Sequence, residues 1–273
     1  MPTVPPGAPA QPVVDPRTGR RAGGGGAEPE RLSLLVILQD EFAATVPHVS
    51  PGARVPACGD WRARELVLHL AGIHRWAAGM AVGDPSRDED RPETDLPGPC
   101  DDAAALAALY ARHAADLRAT LESAGPDGPA CTLLGDGPAS FWWRRQCHET
   151  LVHLHDLHAA RLGSGPDALA AVAVAPAVWG DGVDEVLRMF HPRQVRLGRT
   201  APPADRVRLV AADLGWTWTL GGADDDPPAA TLSATAQRLD LLLWGRLTPG
   251  EAGAVVDGDG DAVTRVLARA LVP

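Results

Sequence analysis

Apolar residues recur at helical spacing along the first two thirds of the chain. Leu32, Leu35, Leu38 and Phe42 define a first helix from about Glu30 to Val46, and Pro47 and Pro51 then break the pattern. A second helix is expected after Asp60, taken as its N-cap, from Trp61 to about Val82. Leu66, Leu70, Ile73 and Trp76 form its apolar stripe, and Gly83-Asp84-Pro85 ends it. A charged, proline-broken loop runs on through Pro99. A third helix follows Asp101-Asp102 to about Ser123, a loop spans Gly125 to Pro138, and a fourth helix runs from Ser140 to Gly163. Four amphipathic helices with loops between them read as a bundle.

The period then changes. Ser164-Gly165-Pro166 reads as a hinge, and an alanine-rich helix continues to about Phe190, kinked near Pro176. Val207–Ala211 and Trp216–Leu220 alternate as strands do. Ala230–Ser233 is a third strand candidate, followed by a helix over Ala236–Arg246. A short strand at Val255-Val256 and a last helix over Ala262–Leu271 complete a small α+β domain. The organisation expected is a tail at 1–29, a helix bundle at 30–165, and a linker helix with an α+β domain at 166–273. The tail is rich in Pro, Gly and Ala and buries too little apolar surface to order itself.

Composition narrows the function classes. The 273 residues are 45% hydrophobic and 22% charged, with a formal net charge of −10. That balance is globular, and the acidic excess argues against a nucleic-acid partner. Lysine is absent and the basic side chains are arginines, which with the Ala, Gly and Pro excess suits coding bias in a high-GC bacterium. Cys58, Cys100, Cys131 and Cys147 form no CxxC pair, so scattered reduced thiols are expected. No signal sequence and no membrane-length apolar run is visible, and a soluble cytoplasmic monomer or small homo-oligomer is the expectation.

The chemistry concentrates in His148-Glu149-Thr150-Leu151-Val152-His153-Leu154-His155-Asp156. Glu149 and His153 lie four apart, one turn above the other on one helix face, and Asp156 joins that face. This HExxxH order is not the zincin HExxH. His69, flanked by leucines in the second helix, supplies a third inward ligand. His69, Glu149 and His153 make a His2Glu set that leaves a position open, with Asp156 as an acceptor behind the ligands. Spacing alone leaves a second reading equally open: Glu149 in a buried pair with an arginine or histidine, and His69 as a satisfied core residue. The other histidines are expected in solvated or capping roles, with His74 as a lining of the site's mouth. Gly258-Asp259-Gly260-Asp261 lacks calcium-loop spacing and reads as a turn and helix cap. Trp216 and Trp218 read as core, and no GxSxG or Walker motif is present.

Trp61–Gly72 and Arg145–Asp156 resemble the second- and fourth-helix signatures of the mycothiol-dependent maleylpyruvate isomerase family. Asp181–Leu187 and Leu239–Arg246 are similar to further family segments, so the likeness runs in order over about residues 30–273. It implies a DinB-like four-helix bundle followed by a smaller α/β domain similar to sterol-carrier folds. It implies a divalent metal, usually zinc, on His69, Glu149 and His153, with mycothiol as cosubstrate. It also implies a catalytic arginine in the C-terminal domain, for which Arg246 stands in the right segment. One departure is Leu154, where the family often has arginine, which bears on the substrate. The implied activity is thiol-dependent isomerisation or S-transfer on a small electrophile. A non-catalytic thiol- or metabolite-binding protein and a thiol-independent metal hydrolase are the competing readings.

Overall fold

Four long helices carry the first half of the chain: α1 (Glu28–Thr45), α2 (Ala63–Ala81), α3 (Ala103–Ala124) and α4 (Ser140–Leu162). The computed structural model describes residues 28–84, 101–223 and 226–273. The tail expected at 1–29, apart from its last two residues, and most of the loop through Pro99 lie outside the described residues, as does Cys100. Leu35, Leu38 and Phe42 of α1 are fully buried, as are Leu66 and Leu70 of α2, and Leu106, Leu117 and Leu121 of α3. The stripes of the first two helices thus turn inward, with Leu32 and Ile73 half-buried at their margins. Helix α1 packs on α4, and α2 packs on both α3 and α4.

Helix α2 starts two residues later than Asp60 implies. Its cap is Arg62, whose backbone N–H donates to Glu65 Oε2 at 2.8 Å. Asp102 caps α3 as its position suggests, accepting from the Ala104 N–H at 2.9 Å. Gly163 closes α4 in a left-handed conformation, φ +75°, which its lack of a Cβ permits.

Two connections differ from the sequence expectation. The 125–138 loop folds into a hairpin, β1 (Pro129–Thr132) and β2 (Gly135–Pro138). Trp142 pins it by donating from Nε1 to the Cys131 carbonyl at 2.8 Å. The strands are too short and too rich in Gly and Pro to show alternation. The alanine-rich helix is broken rather than kinked: α5 (Gly165–Ala168) and a 3-10 turn precede α6 (Pro176–Glu185). Pro176 forces Ala175 into an extended conformation, ψ 138°, and so starts a new helix. A π-helical turn over Val186–Phe190 then leads into α7 (His191–Arg196).

The remainder is a mixed sheet with two helices. Strands β3 (Val207–Ala211) and β4 (Trp216–Leu220) pair antiparallel, and β5 (Ala230–Ala234) lies parallel to β3. β6 (Val255–Gly258) pairs antiparallel with β5, giving the order β4-β3-β5-β6. Val207, Leu209 and Ala211 point inward with Ala230, Leu232 and Ala234. Helices α8 (Ala236–Leu243) and α9 (Gly260–Leu267) complete the unit. Asp259 caps α9 through the N–H groups of Asp261 and Ala262, as the turn-and-cap reading has it. The fold is a helical N-terminal region with a small C-terminal sheet domain. One apolar cluster runs through both units and includes Leu70, Leu157, Val183, Leu209 and Leu243. No described helix is long and apolar enough to cross a membrane.

The closest packing at this junction joins α6 to α8. A Cβ on Gly182 would lie inside the van der Waals surface of Asp240, 2.8 Å from its Cγ. Asp240 is fully buried, and neither carboxylate oxygen has a hydrogen-bond partner among the described residues. Burial, and next to it the Glu185 carboxylate, push the Asp240 carboxyl well above the usual carboxylate range. Two outcomes follow. Gly182→Ala overpacks the junction and is expected to lower stability by about 1–3 kcal/mol, read as a drop in Tm. Asp240 holds its proton more tightly in the folded chain than in the unfolded one. Its contribution is therefore complete below about pH 4 and lost as pH rises above that. Asp240→Asn removes the titration, so its Tm relative to the native chain is expected to rise between about pH 4 and pH 7.5. A pH-independent difference would contradict this.

Candidate metal centre

Helix α4 is buried on every face: each residue from Arg145 to Ala160 is covered. The helix is nonetheless rich in polar groups, which are costly without a partner inside the molecule; most have one, but neither ring nitrogen of His155 has a hydrogen-bond partner among the described residues. α1 and α2 cover part of it, and the segment after residue 163 covers more.

His69 of α2 meets Glu149 and His153 of α4. Glu149 Oε1 lies 3.7 Å from His69 Nε2 and 3.2 Å from His153 Nε2. The two imidazole rings stand edge-on with centroids 5.2 Å apart. Trp61 packs against the His69 ring at 4.8 Å. His153 Nδ1 faces Asp156 Oδ2 at 3.0 Å. Burial pulls the His153 ring down to about 4 despite the Asp156 carboxylate beside it, so near neutral pH it carries one ring proton. With that proton assigned to Nδ1, where it donates to Asp156, the Nε2 lone pair faces the Glu149 oxygen. Two acceptors then confront each other in a buried space, an arrangement that a cation relieves.

The donor set suits a divalent ion. In a tetrahedral site with bonds of about 2.0–2.1 Å, neighbouring donor atoms stand about 3.3 Å apart. The Glu149 separations of 3.2 and 3.7 Å bracket that value, and all three donor atoms lie within 4.8 Å of one another. Among the described residues, this is the one group of three or more such donors close enough together to hold an ion.

The other Glu149 oxygen, Oε2, pairs with Arg145 Nη2 one turn earlier on α4. Arg145 Nη1 donates to Glu185 Oε2 at 2.6 Å. Its guanidinium lies 4.7 Å from the Phe190 ring centroid and 5.4 Å from that of Trp244. The metal and ion-pair readings of Glu149 are thus both present, one on each oxygen. Arg145 carried no role in the sequence reading, although an arginine four residues before a buried glutamate is a readable signal.

Behind His153, Asp156 is fully buried and held by Arg246. Arg246 Nε donates to both Asp156 oxygens, at 3.1 and 3.2 Å, and Nη2 donates to Oδ2 at 2.9 Å. Nη1 donates to the Trp244 carbonyl at 2.8 Å. Burial raises the Asp156 carboxyl, but Arg246 and His153 outweigh it and hold it well below the usual carboxylate range. Cys58 donates to Asp156 Oδ2 across 3.6 Å, and burial, with Asp156, pushes its thiol up to about 12. Arg246 also lines a cavity of 530 Å³ between the two units, with Pro56, Gly165, Leu242, Thr248 and Glu251. Leu154 is fully buried in the shared core.

The remaining histidines differ from expectation. His48 is exposed, but His74, His113, His148, His155, His158 and His191 are buried. His74 does not line a mouth: it sits in the bundle interior between Gln146 Oε1 at 2.8 Å and the Tyr110 hydroxyl at 3.3 Å. His148 pairs with Asp181 at 2.8 Å. The physical reason differs by residue: α3 and α4 enclose His74 inside the bundle, while segments after residue 163 cover the α4 face that carries His148 and His155. Cys58, Cys131 and Cys147 are free thiols, as expected.

Residues 38–158 match the mycothiol maleylpyruvate isomerase N-terminal domain, and residues 177–265 match the MDMPI C-terminal domain. No curated protein matches the sequence. The fold is similar to a crystal structure of the mycothiol-dependent maleylpyruvate isomerase, with a TM-score of 0.61 and 13% identity. That likeness covers 85% of this chain and 93% of the other. A histidine-to-alanine mutant of that enzyme matches to the same extent. With both domains matched in order, this chain belongs to the mycothiol-dependent maleylpyruvate isomerase family.

Proposed function

We propose that this protein is a metal-dependent, mycothiol-dependent enzyme that isomerises a small electrophile or transfers the thiol to it. His69, Glu149 and His153 would hold the ion, zinc being the first candidate for a His2Glu set. The observation that carries the reading is the meeting of two imidazole nitrogens and one carboxylate oxygen, with Asp156 fixing the His153 tautomer. A bound divalent ion supplies charge that lowers the pKa of a coordinated thiol, so that thiolate is available at neutral pH.

The chain's own residues do the rest. Asp156 accepts from His153 Nδ1 and keeps Nε2 directed at the site. Arg246 fixes Asp156, and its remaining N–H bonds are available to a substrate carboxylate at the interdomain cavity it lines. The thiolate of the cosubstrate adds to a conjugated cis double bond and pushes the electron pair onto the substrate carbonyl. Rotation about the new single bond and return of the electron pair expel the thiolate and leave the trans isomer. In S-transfer the same thiolate displaces a leaving group and stays attached. The buried Leu154 puts no charge beside His153, so recognition of an acidic group falls to Arg246.

His153→Ala is expected to lose both bound zinc and thiol-dependent turnover, read by metal analysis and by isomer or adduct formation with mycothiol. Full turnover in that variant would defeat the proposal. Activity of the native protein without any thiol would favour a hydrolase instead.

A further inference from the structure

Glu149 has two carboxylate oxygens, and only Oε1 faces His69 and His153. What decides this lies one turn earlier on the same stripe of α4. Arg145 engages Oε2 through Nη2 and turns its other terminal nitrogen to Glu185 at 2.6 Å. Arg145 and Glu185 side chains are 5% and 2% exposed, so water does not compete for either partner. The guanidinium plane is further fixed by Phe190 and Trp244. Glu185 ends α6 and Phe190 ends the π-helical turn that follows. A π turn is wider than an α turn, and the contacts show both residues, five apart, reaching the same guanidinium. Trp244 comes from the C-terminal unit, just after α8.

We propose that Arg145 is a positioning residue for the metal centre, held in place by Glu185, so that the segments after the bundle set the aim of Glu149 at the ion. This rests on the metal reading of His69, Glu149 and His153. A fork is required: one nitrogen for Glu149, one for Glu185, and a flat face for the aromatic rings. Lysine offers a point charge and no fork. Glutamine at 185 keeps an acceptor oxygen and the side-chain shape but removes the charge that holds Arg145. In either variant Glu149 is free to turn toward Arg145 or to offer the ion a different oxygen.

The test uses the full-length apoprotein, with zinc affinity read by competition with a chromophoric chelator and ligand geometry read from the visible spectrum of the cobalt form. Glu185→Gln and Arg145→Lys are expected to weaken zinc binding about tenfold or more and to shift the cobalt bands. Asp181→Asn is the comparison: it removes the charge that faces Arg144 at 2.9 Å and His148 at 2.8 Å at the same junction without touching Arg145 or Glu149. Its apoprotein Tm is expected to fall while zinc affinity stays within about twofold of native. Should Arg145→Lys fail to fold, Glu185→Gln decides alone. Native zinc affinity and an unchanged cobalt spectrum in Glu185→Gln overturn the proposal, as does an equal loss of affinity in Asp181→Asn. Absence of zinc binding in the native chain overturns the metal reading, and this proposal with it.

Discussion

Helix α4 is buried on every face and carries charged and imidazole side chains, so its ionised groups must be compensated by partners from neighbouring segments. That constraint organises the rest. Glu149 is balanced by Arg145 on one oxygen, while its other oxygen faces the histidine pair. Asp156 is balanced by Arg246 and His153, and His148 by Asp181. Three of these partners, Glu185 behind Arg145, Asp181 and Arg246, lie beyond residue 163. The bundle alone would leave Asp156 without its arginine, Arg145 without its second carboxylate and His148 without Asp181.

The same constraint explains why the two units share one apolar cluster. The ion pairs cross the junction only because Leu157, Val183 and Leu243 close it to water. Removing one partner of such a buried pair strands the other, which is why single changes there are expected to act beyond their own contacts. The Arg246–Asp156–His153 and Glu185–Arg145–Glu149 chains enter α4 from the C-terminal side at Asp156 and Arg145, about three turns apart, and end on the two α4 ligands, one turn apart. The C-terminal segments thereby act on the site's geometry as well as on its access.

The pairing of Glu149 with His153 was legible because a helix repeats every three to four residues, so i and i+4 on a core face must meet. His69 was legible because leucines flank it in an amphipathic pattern. Helices α1 to α4 and strands β3 and β4 followed from period alone. The buried state of His74, His148 and His155 was not legible, since a single-helix pattern says nothing of what later segments cover. The i, i+4 spacing of Arg145 and Glu149 was readable, but the link from Arg145 to Glu185, 40 residues away, was not. The 129–138 hairpin stayed hidden because its four-residue strands hold glycine and proline where alternation is read.

The central claim is that His69, Glu149 and His153 present a thiol to chemistry through a bound ion. Titration of the cobalt-loaded protein with mycothiol tests it most directly, because a sulfur ligand adds an intense charge-transfer band to the cobalt spectrum. Cobalt uptake by the native chain, a new band that saturates with mycothiol, and loss of both in His153→Ala are expected. Failure to take up cobalt, or a spectrum indifferent to mycothiol, would contradict it.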